Sequence, residues 1–145
     1  MIWFNRAPVW VLLTLVTLTG GCSLFEGESF TNLTDANLFT SKPIDFSVLS
    51  QDTSELAGSW EWLQSTYYYT ITGRPFVQKP EDVDHMKRLV FTPDDSVKVY
   101  RGEELWRKRC RQDYLDNSQW GTIQGFLVIS RAHMDGPESI YFRAD

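Results

Sequence analysis

Short stretches of alternating apolar and polar residues, separated by turn residues, dominate the chain from about residue 55 onward. Trp60 and Trp62 would share one face of a strand, with Ser59 and Glu61 on the opposite face. The segment 66–72 (TYYYTIT) is rich in aromatic and β-branched residues, which favour strands. No stretch of useful length repeats its apolar residues at helical spacing. The pattern therefore predicts strands.

Further strands are predicted at 87–92, 97–101, 105–110, 122–132 and 139–143, with a polar connection over 73–85. Between the first two of these, Pro93-Asp94-Asp95-Ser96 is typical of a hairpin turn, because Pro fixes φ and Asp favours the next position. Neighbouring strands joined by tight turns predict an all-β fold with an antiparallel up-and-down sheet. We expect a small barrel, and an incomplete or open barrel is the alternative.

The N-terminus has the pattern of an export signal. Arg6 precedes an uncharged apolar stretch, Ala7–Thr19, and Gly20-Gly21-Cys22 follows it. An apolar core of about 7–15 residues before small residues is typical of a cleaved secretory signal, whereas a membrane span needs about 20. We therefore interpret residues 1–21 as a signal peptide, with an uncleaved signal anchor as the alternative.

The run Leu18-Thr19-Gly20-Gly21-Cys22 resembles the lipobox of bacterial lipoproteins, although Thr19 stands where that family usually has Leu. The resemblance implies that Cys22 carries a diacylglycerol and that the signal is cut before it. The protein would then be lipid-anchored in the bacterial cell envelope, and Ser23 is compatible with the outer membrane. Two or more acyl chains anchor a protein stably where one does not. A Cys22–Cys110 disulfide is the alternative.

These features divide the chain into three parts: the signal 1–21, a tether 22–54 that starts at the lipidated Cys22, and a β domain 55–145. The tether lacks sustained periodicity and is rich in Ser, Thr, Asn and Asp. Part of it could pack on the domain, and 45–49 could add a short strand. About 120 residues after the signal correspond to one domain.

Leu56-Ala57-Gly58-Ser59-Trp60 resembles the opening strand of a lipocalin, with Gly58 and Trp60 matching its Gly-x-Trp. The hairpin 89–100 is similar to one in small bacterial lipocalin-like lipoproteins. The resemblance covers roughly residues 55–145 and implies a calycin-type barrel. It also implies that Trp60 closes one end of the barrel and that Arg143 packs across it. About 90 residues are few for eight strands, so the barrel is either reduced or lacks its closing strand.

The net charge and the motifs of the chain argue against several classes of function. Arg6 is the only charged residue before Cys22, so the remaining chain has 13 basic and 19 acidic residues and a net charge of −6. This argues against a nucleic-acid partner. No phosphate-binding loop, nucleophile motif or zinc motif occurs. His85, close to three acidic residues, is better explained as part of a solvated loop than as a cation site. We expect no catalytic residues, no metal and no cofactor.

Alternation along 105–112 places Arg107 and Arg109 on one face and Trp106 and Lys108 on the other. The hypothesis is that Lys108 points into the barrel and pairs with the carboxylate of a fatty ligand, and that aromatic rings line the apolar part. An outer, solvated strand is the alternative. The predicted ligand-binding residues are Trp60, Trp62, Tyr69, Trp106 and Lys108.

The sequence thus predicts a membrane-anchored, lipocalin-like lipoprotein that binds a small hydrophobic ligand without bond chemistry. The alternative is a protein-interaction module, such as an inhibitor or an envelope assembly factor, that uses exposed loops such as 73–85. The sequence names neither the ligand nor the protein partner.

Overall fold

A computed structural model describes residues 38–40, 42–68 and 70–145, so the predicted signal, Cys22 and Tyr69 lie outside the described residues. The fold is all-β, as the alternation predicts, and its eight strands form one antiparallel sheet. The strands are β1 Gly58–Tyr67, β2 Phe76–Gln78, β3 Lys87–Phe91, β4 Ser96–Arg101, β5 Glu104–Cys110, β6 Gln119–Ile123, β7 Phe126–Ser130 and β8 Glu138–Arg143. A short helix, α1 (Arg111–Leu115), follows β5.

The sheet has the order β5-β4-β3-β1-β8-β7-β6, and β2 pairs with the C-terminal end of β1. The first and last strands are therefore neighbours at its centre, where Trp60 lies opposite Arg143. The two outermost strands, β5 and β6, do not pair with each other. The closed barrel that we expected is therefore not formed, and α1 lies in the connection between the two free ends.

Two strand predictions were wrong in their limits. The segment 122–132 is not one strand but the hairpin β6–β7, because Gln124 and Gly125 both adopt positive φ (47° and 82°) and form a tight two-residue turn. The predicted strand 66–72 ends at Tyr67, and the chain then turns before β2, which lies within the predicted polar connection.

The concave face of the sheet carries the larger hydrophobic core. Its centre is formed by Trp60 and Trp62 of β1, which are almost completely buried. Leu115 of α1 belongs to the same cluster, so the helix packs into the core beside the opening of the sheet. The other buried members are Leu56, Leu89, Phe91, Val97, Val99, Leu127, Ile129 and Tyr141.

A second cluster covers the opposite face. Here the N-terminal strap (residues 38–40 and 42–50) packs its Leu38, Ile44 and Leu49 on Val128 and Ile140. The short strand expected at 45–49 is wrong, because these residues contain a 3-10 turn, Phe46–Val48, capped by the Asp45 side chain.

The strap lies very close to β6. A Cβ added at Gly121 would be 2.5 Å from the Cβ of Leu49, so this contact requires glycine. Ser50 pairs with Thr122 next to it through two backbone hydrogen bonds of 2.7 and 2.8 Å. Part of the predicted tether, residues 22–54, is thus packed on the sheet.

A buried carboxylate fastens the strap at its other end. Glu138 is 3% exposed, and its Oε1 accepts hydrogen bonds from the Ile44 N–H (3.2 Å) and the Tyr68 hydroxyl (2.8 Å). Burial raises the pKa of the Glu138 carboxyl above its ordinary 4.5, and these hydrogen bonds oppose the rise only in part. The folded protein therefore holds this proton more tightly than the unfolded chain does.

It follows that Glu138 stabilises the fold most fully below pH 4.5 and that this contribution is lost as the pH rises through the raised pKa. We expect the stability of Glu138→Gln relative to the wild type to be higher at about pH 7 than at pH 4.5. The amide stays uncharged at both pH values, and its oxygen can still accept both hydrogen bonds. Urea unfolding at the two pH values measures this difference. An equal difference at both would contradict the prediction.

Glu138→Ala is the control for the hydrogen bonds. This variant leaves the buried Ile44 N–H without its acceptor, which costs about 1–3 kcal/mol. We expect a loss of that size at low pH, where the wild-type carboxyl is uncharged.

Candidate functional site: an arginine cleft

Four of the five residues predicted to bind a ligand are described, and they lie in different surroundings. Trp60 and Trp62 are buried in the filled core, 1% and 0% exposed, whereas Trp106 on the edge strand β5 is 42% exposed. Tyr69 lies outside the described residues. The indole N–H of Trp62 donates to the Ser65 hydroxyl (2.9 Å), so it is satisfied inside the protein. A fatty ligand has no place between these two core rings.

Trp60 and Arg143 are in contact. The guanidinium carbon of Arg143 lies 4.6 Å from the centroid of the indole ring, and the indole N–H donates to the Leu56 carbonyl at 2.7 Å. Arg143 also donates to the carbonyls of Glu55 and Ala57, so it ties the start of β1 to the last strand. The lipocalin resemblance implies such a contact for these two residues, while kinship with lipocalins stays a prediction.

Lys108 lies on the outer face of β5. Its Nζ is 3.5 Å from an oxygen of Asp94, and its side chain is 52% exposed. Residues directly opposite each other in antiparallel strands share a face. Val97 and Val99 are buried in the concave core and lie opposite Arg109 and Arg107. The basic groups on the concave side of β5 are therefore arginines rather than Lys108.

A β-bulge brings Trp106 to the same side. The pairing jumps from Val99↔Arg107 to Tyr100↔Leu105, so Trp106 has no partner on β4. Its ring centroid lies 3.9 Å from the guanidinium carbon of Arg107 and 3.7 Å from that of Arg101. Strict alternation placed Trp106 on the face of Lys108, and that prediction was wrong because it assumed an unbroken strand.

Trp106 and the arginines line a cleft of about 390 Å³ between β5, α1 and the end of β7. We call it the arginine cleft. Its volume lies within the range of about 300–1,000 Å³ that is typical of small-molecule sites. It is lined by Val99, Trp106, Arg107, Arg109, Asp113, Tyr114, Asp116, Asn117, Arg131 and Met134.

Arg131 is held in place by α1. Its Nη2 donates to the Tyr114 carbonyl at 2.9 Å, and its guanidinium carbon lies 5.3 Å from the Tyr114 ring. The ring centroids of Tyr114 and Phe91 lie 6.5 Å apart in an edge-to-face arrangement, so the Tyr114 ring packs against the core. Burial raises the pKa of the Tyr114 hydroxyl, which is consequently uncharged at neutral pH.

The charges of the cleft are not paired at short range. Within the part of the chain that the structure describes, the ion pairs are Lys108–Asp94 (3.5 Å) and Arg111–Asp95 (2.6 Å). Both aspartates belong to the turn between β3 and β4. They pair with Lys108 and Arg111, which do not line the cleft. The three cleft arginines, 107, 109 and 131, form no ion pair within 4.0 Å with a described carboxylate.

No protein-family model, curated protein or solved structure matches this chain. The site is therefore interpreted from its own chemistry. Among residues 38–40, 42–68 and 70–145, no three side chains of the metal-binding types come together. None of the helices in these ranges is both long and apolar enough to cross a membrane.

The sequence contained part of the signal for this site. The alternation of Arg107 and Arg109 is visible in the sequence, and the structure places both in the cleft. Arg131 could not be assigned from the sequence, because it reaches the cleft from a segment distant along the chain, and Tyr114 could not, because the short helix that carries it was predicted to be a polar loop. Arg131 was also counted inside a strand that ends at Ser130.

Proposed function

We propose that this chain is an exported bacterial lipoprotein, held on the envelope membrane by lipid on Cys22, with the outer membrane as its site. The Gly-Gly-Cys ending of the apolar N-terminal stretch supports this. We also propose a distant lipocalin-like origin for the β domain. Its support is the eight-stranded antiparallel sheet, the pairing of first and last strands, and the contact between Trp60 and Arg143.

The function proposed for the domain is binding of a small ligand, and the observation that carries it is the arginine cleft. The core between the strands is filled with Trp60, Trp62 and their neighbours. The cleft between β5, α1 and the end of β7 is a separate site with an exposed indole, Trp106, in its wall. The ligand would thus bind beside the core rather than inside a barrel.

The cleft side chains favour binding over catalysis. Guanidinium groups stay protonated at all physiological pH values, and burial keeps the Tyr114 phenol protonated. Such groups hold and orient a ligand but do not exchange protons readily near neutral pH. We therefore propose no bond chemistry, no metal and no cofactor.

A fluorescence titration tests the proposed function. The probe is 1-anilinonaphthalene-8-sulfonate, added to the full-length chain carrying Cys22→Ser. We expect saturable binding at one site, which Trp106→Ser weakens by about tenfold because it removes an apolar wall worth about 1.5–3 kcal/mol. Phe76→Ser is the matched control, since Phe76 is also an exposed aromatic residue but lies outside the cleft.

Equal affinities for Trp106→Ser, Phe76→Ser and the unchanged protein would refute binding at the cleft. Circular dichroism of each variant confirms that the sheet is retained.

A protein-interaction module is the second candidate, and the edge of β5 favours it. All seven residues of this strand are exposed, and its outer edge has no partner strand among the described residues. Such an edge can accept an extended segment of another protein. Its lysine and arginine side chains, however, are of the kind that protects edges from unwanted pairing. Saturable dye binding that Trp106→Ser weakens by about tenfold would support the small ligand over the protein partner.

A further inference from the structure

We infer that the ligand of the arginine cleft is an organic anion, meaning an acidic group attached to an apolar body. This inference rests on the proposed function and specifies its ligand class. It commits to a molecule whose charged end meets the arginines and whose rings or chain lie on Trp106.

The anionic group follows from the converging arginines. Arg107 and Arg109 extend from β5, and Arg131 approaches from the end of β7 across the same cleft. A guanidinium group presents a planar fork of N–H donors that matches carboxylate, sulfonate and phosphate oxygens. Because no described carboxylate lies within 4.0 Å of these three groups, their donors other than the one that Arg131 gives to the Tyr114 carbonyl are available to a bound anion.

One arginine is already positioned for this task. Arg131 is half-buried, and its bond to the Tyr114 carbonyl fixes the direction of the guanidinium group before any ligand arrives. A preorganised donor loses less conformational entropy on binding than a free side chain does. The Arg131 group therefore defines where the acidic end of the ligand sits.

The sign of the ligand's charge follows from the balance within the cleft. Three arginines and two aspartates, Asp113 and Asp116, line it, and Arg101 stands over the Trp106 ring in its wall. The site therefore carries an excess of positive charge, which an anion neutralises.

The apolar body follows from the exposed hydrophobic surface. Trp106 and Met134 are 42% and 60% exposed, and both line the cleft, together with Val99. Arginines 101 and 107 cover the faces of the indole, so its position is fixed and its exposed edge is the part that can contact an apolar ligand. A simple inorganic anion would leave this apolar surface in water, whereas a ring or an alkyl chain would cover it.

A matched pair of dyes tests the inference. N-Phenyl-1-naphthylamine has the same rings as 1-anilinonaphthalene-8-sulfonate but lacks the sulfonate. We expect the sulfonate to bind at least about tenfold more tightly, because charge-assisted hydrogen bonds contribute about 1.5–3 kcal/mol. Arg109→Gln should remove most of this preference. Lys108→Gln should leave it unchanged, since it removes the same charge from the other face of β5.

The outcomes separate the two proposals. If the neutral dye binds as tightly as the sulfonate and Arg109→Gln changes nothing, the ligand class is wrong while the cleft remains a binding site. If neither dye binds saturably, the proposed function fails as well. Displacement of the sulfonate dye by sodium sulfate, but not by sodium chloride of equal ionic strength, would show a simple anion site and overturn the need for an apolar body.

Two competitors identify the source of the ligand. An acidic group attached to an apolar body occurs both in free fatty acids and in the anionic lipids of a membrane. Displacement by dissolved dodecanoate supports a free organic anion, and displacement by phosphatidylglycerol vesicles alone supports a lipid in the membrane that carries the anchor. If neither displaces the dye, the inference is overturned.

Discussion

Replacing Trp60 with alanine is expected to lower the free energy of unfolding by about 3–5 kcal/mol, a large part of the 5–15 kcal/mol that stabilises a typical domain. Trp60 is almost fully buried at the centre of the larger core. The variant loses the burial of the ring, the hydrogen bond to Leu56 and the contact with Arg143. Chemical denaturation followed by circular dichroism measures the loss.

The same substitution at Trp106 is the matched control. That indole is 42% exposed on the edge strand, so we expect Trp106→Ala to cost about 1 kcal/mol or less. Equal losses at the two positions would contradict the description of the core. Trp60→Phe keeps much of the ring in place and loses the N–H donor. It should therefore give an intermediate loss even where the alanine variant does not fold.

Replacing Cys22 with serine is expected to abolish covalent attachment of fatty acid, because the lipid is carried on the sulfur. Growth with labelled palmitate, followed by isolation of the protein, measures the attachment. Each buried CH₂ of an acyl chain contributes about 0.8 kcal/mol, so losing two or more chains removes tens of kcal/mol of membrane binding. The expected change is complete rather than graded.

Cys110→Ser is the control for this experiment. Cys110 is exposed and forms no disulfide with a described residue. We expect this variant to keep the label, since the thiol lies outside the processing motif. Membrane release is measured in a chain whose residues 1–21 are exchanged for an ordinary secretory signal, so that an uncut apolar stretch does not retain the Cys22→Ser protein. A Cys22→Ser protein that still carries label would refute the lipid anchor.

The sequence predicted the strands where side-chain alternation and turn chemistry agree. The hairpin at Pro93–Ser96 and the strand pair around it follow the pattern closely, because Pro and Asp act locally. The β6–β7 turn was missed, since Gln at a positive φ gives no composition signal beside Gly125. Packing of part of the tether on the domain was expected, but the residues that pack on β7 and β8 were not predicted, because scattered apolar residues show no period.

The site was less predictable for a different reason. Sequence alternation identified the arginines of β5 but not the bulge that turns Trp106 toward them. A bulge depends on the pairing of two strands, and a single strand does not reveal it. The assignment of Lys108 as an inward cation depended on the same assumption. Its partner, Asp94, sits in a turn that becomes its neighbour only through the pairing of β4 and β5.

The adjacency of β1 and β8 bears on when this protein can fold. The central strand pair joins Trp60 to Arg143, which are 83 positions apart, so it cannot form until the chain through Arg143 is present. A chain that passes unfolded through a secretion channel, N-terminus first, cannot form this pair inside the channel. For an exported protein, this long-range pairing therefore delays folding of the sheet until Arg143 has crossed the membrane.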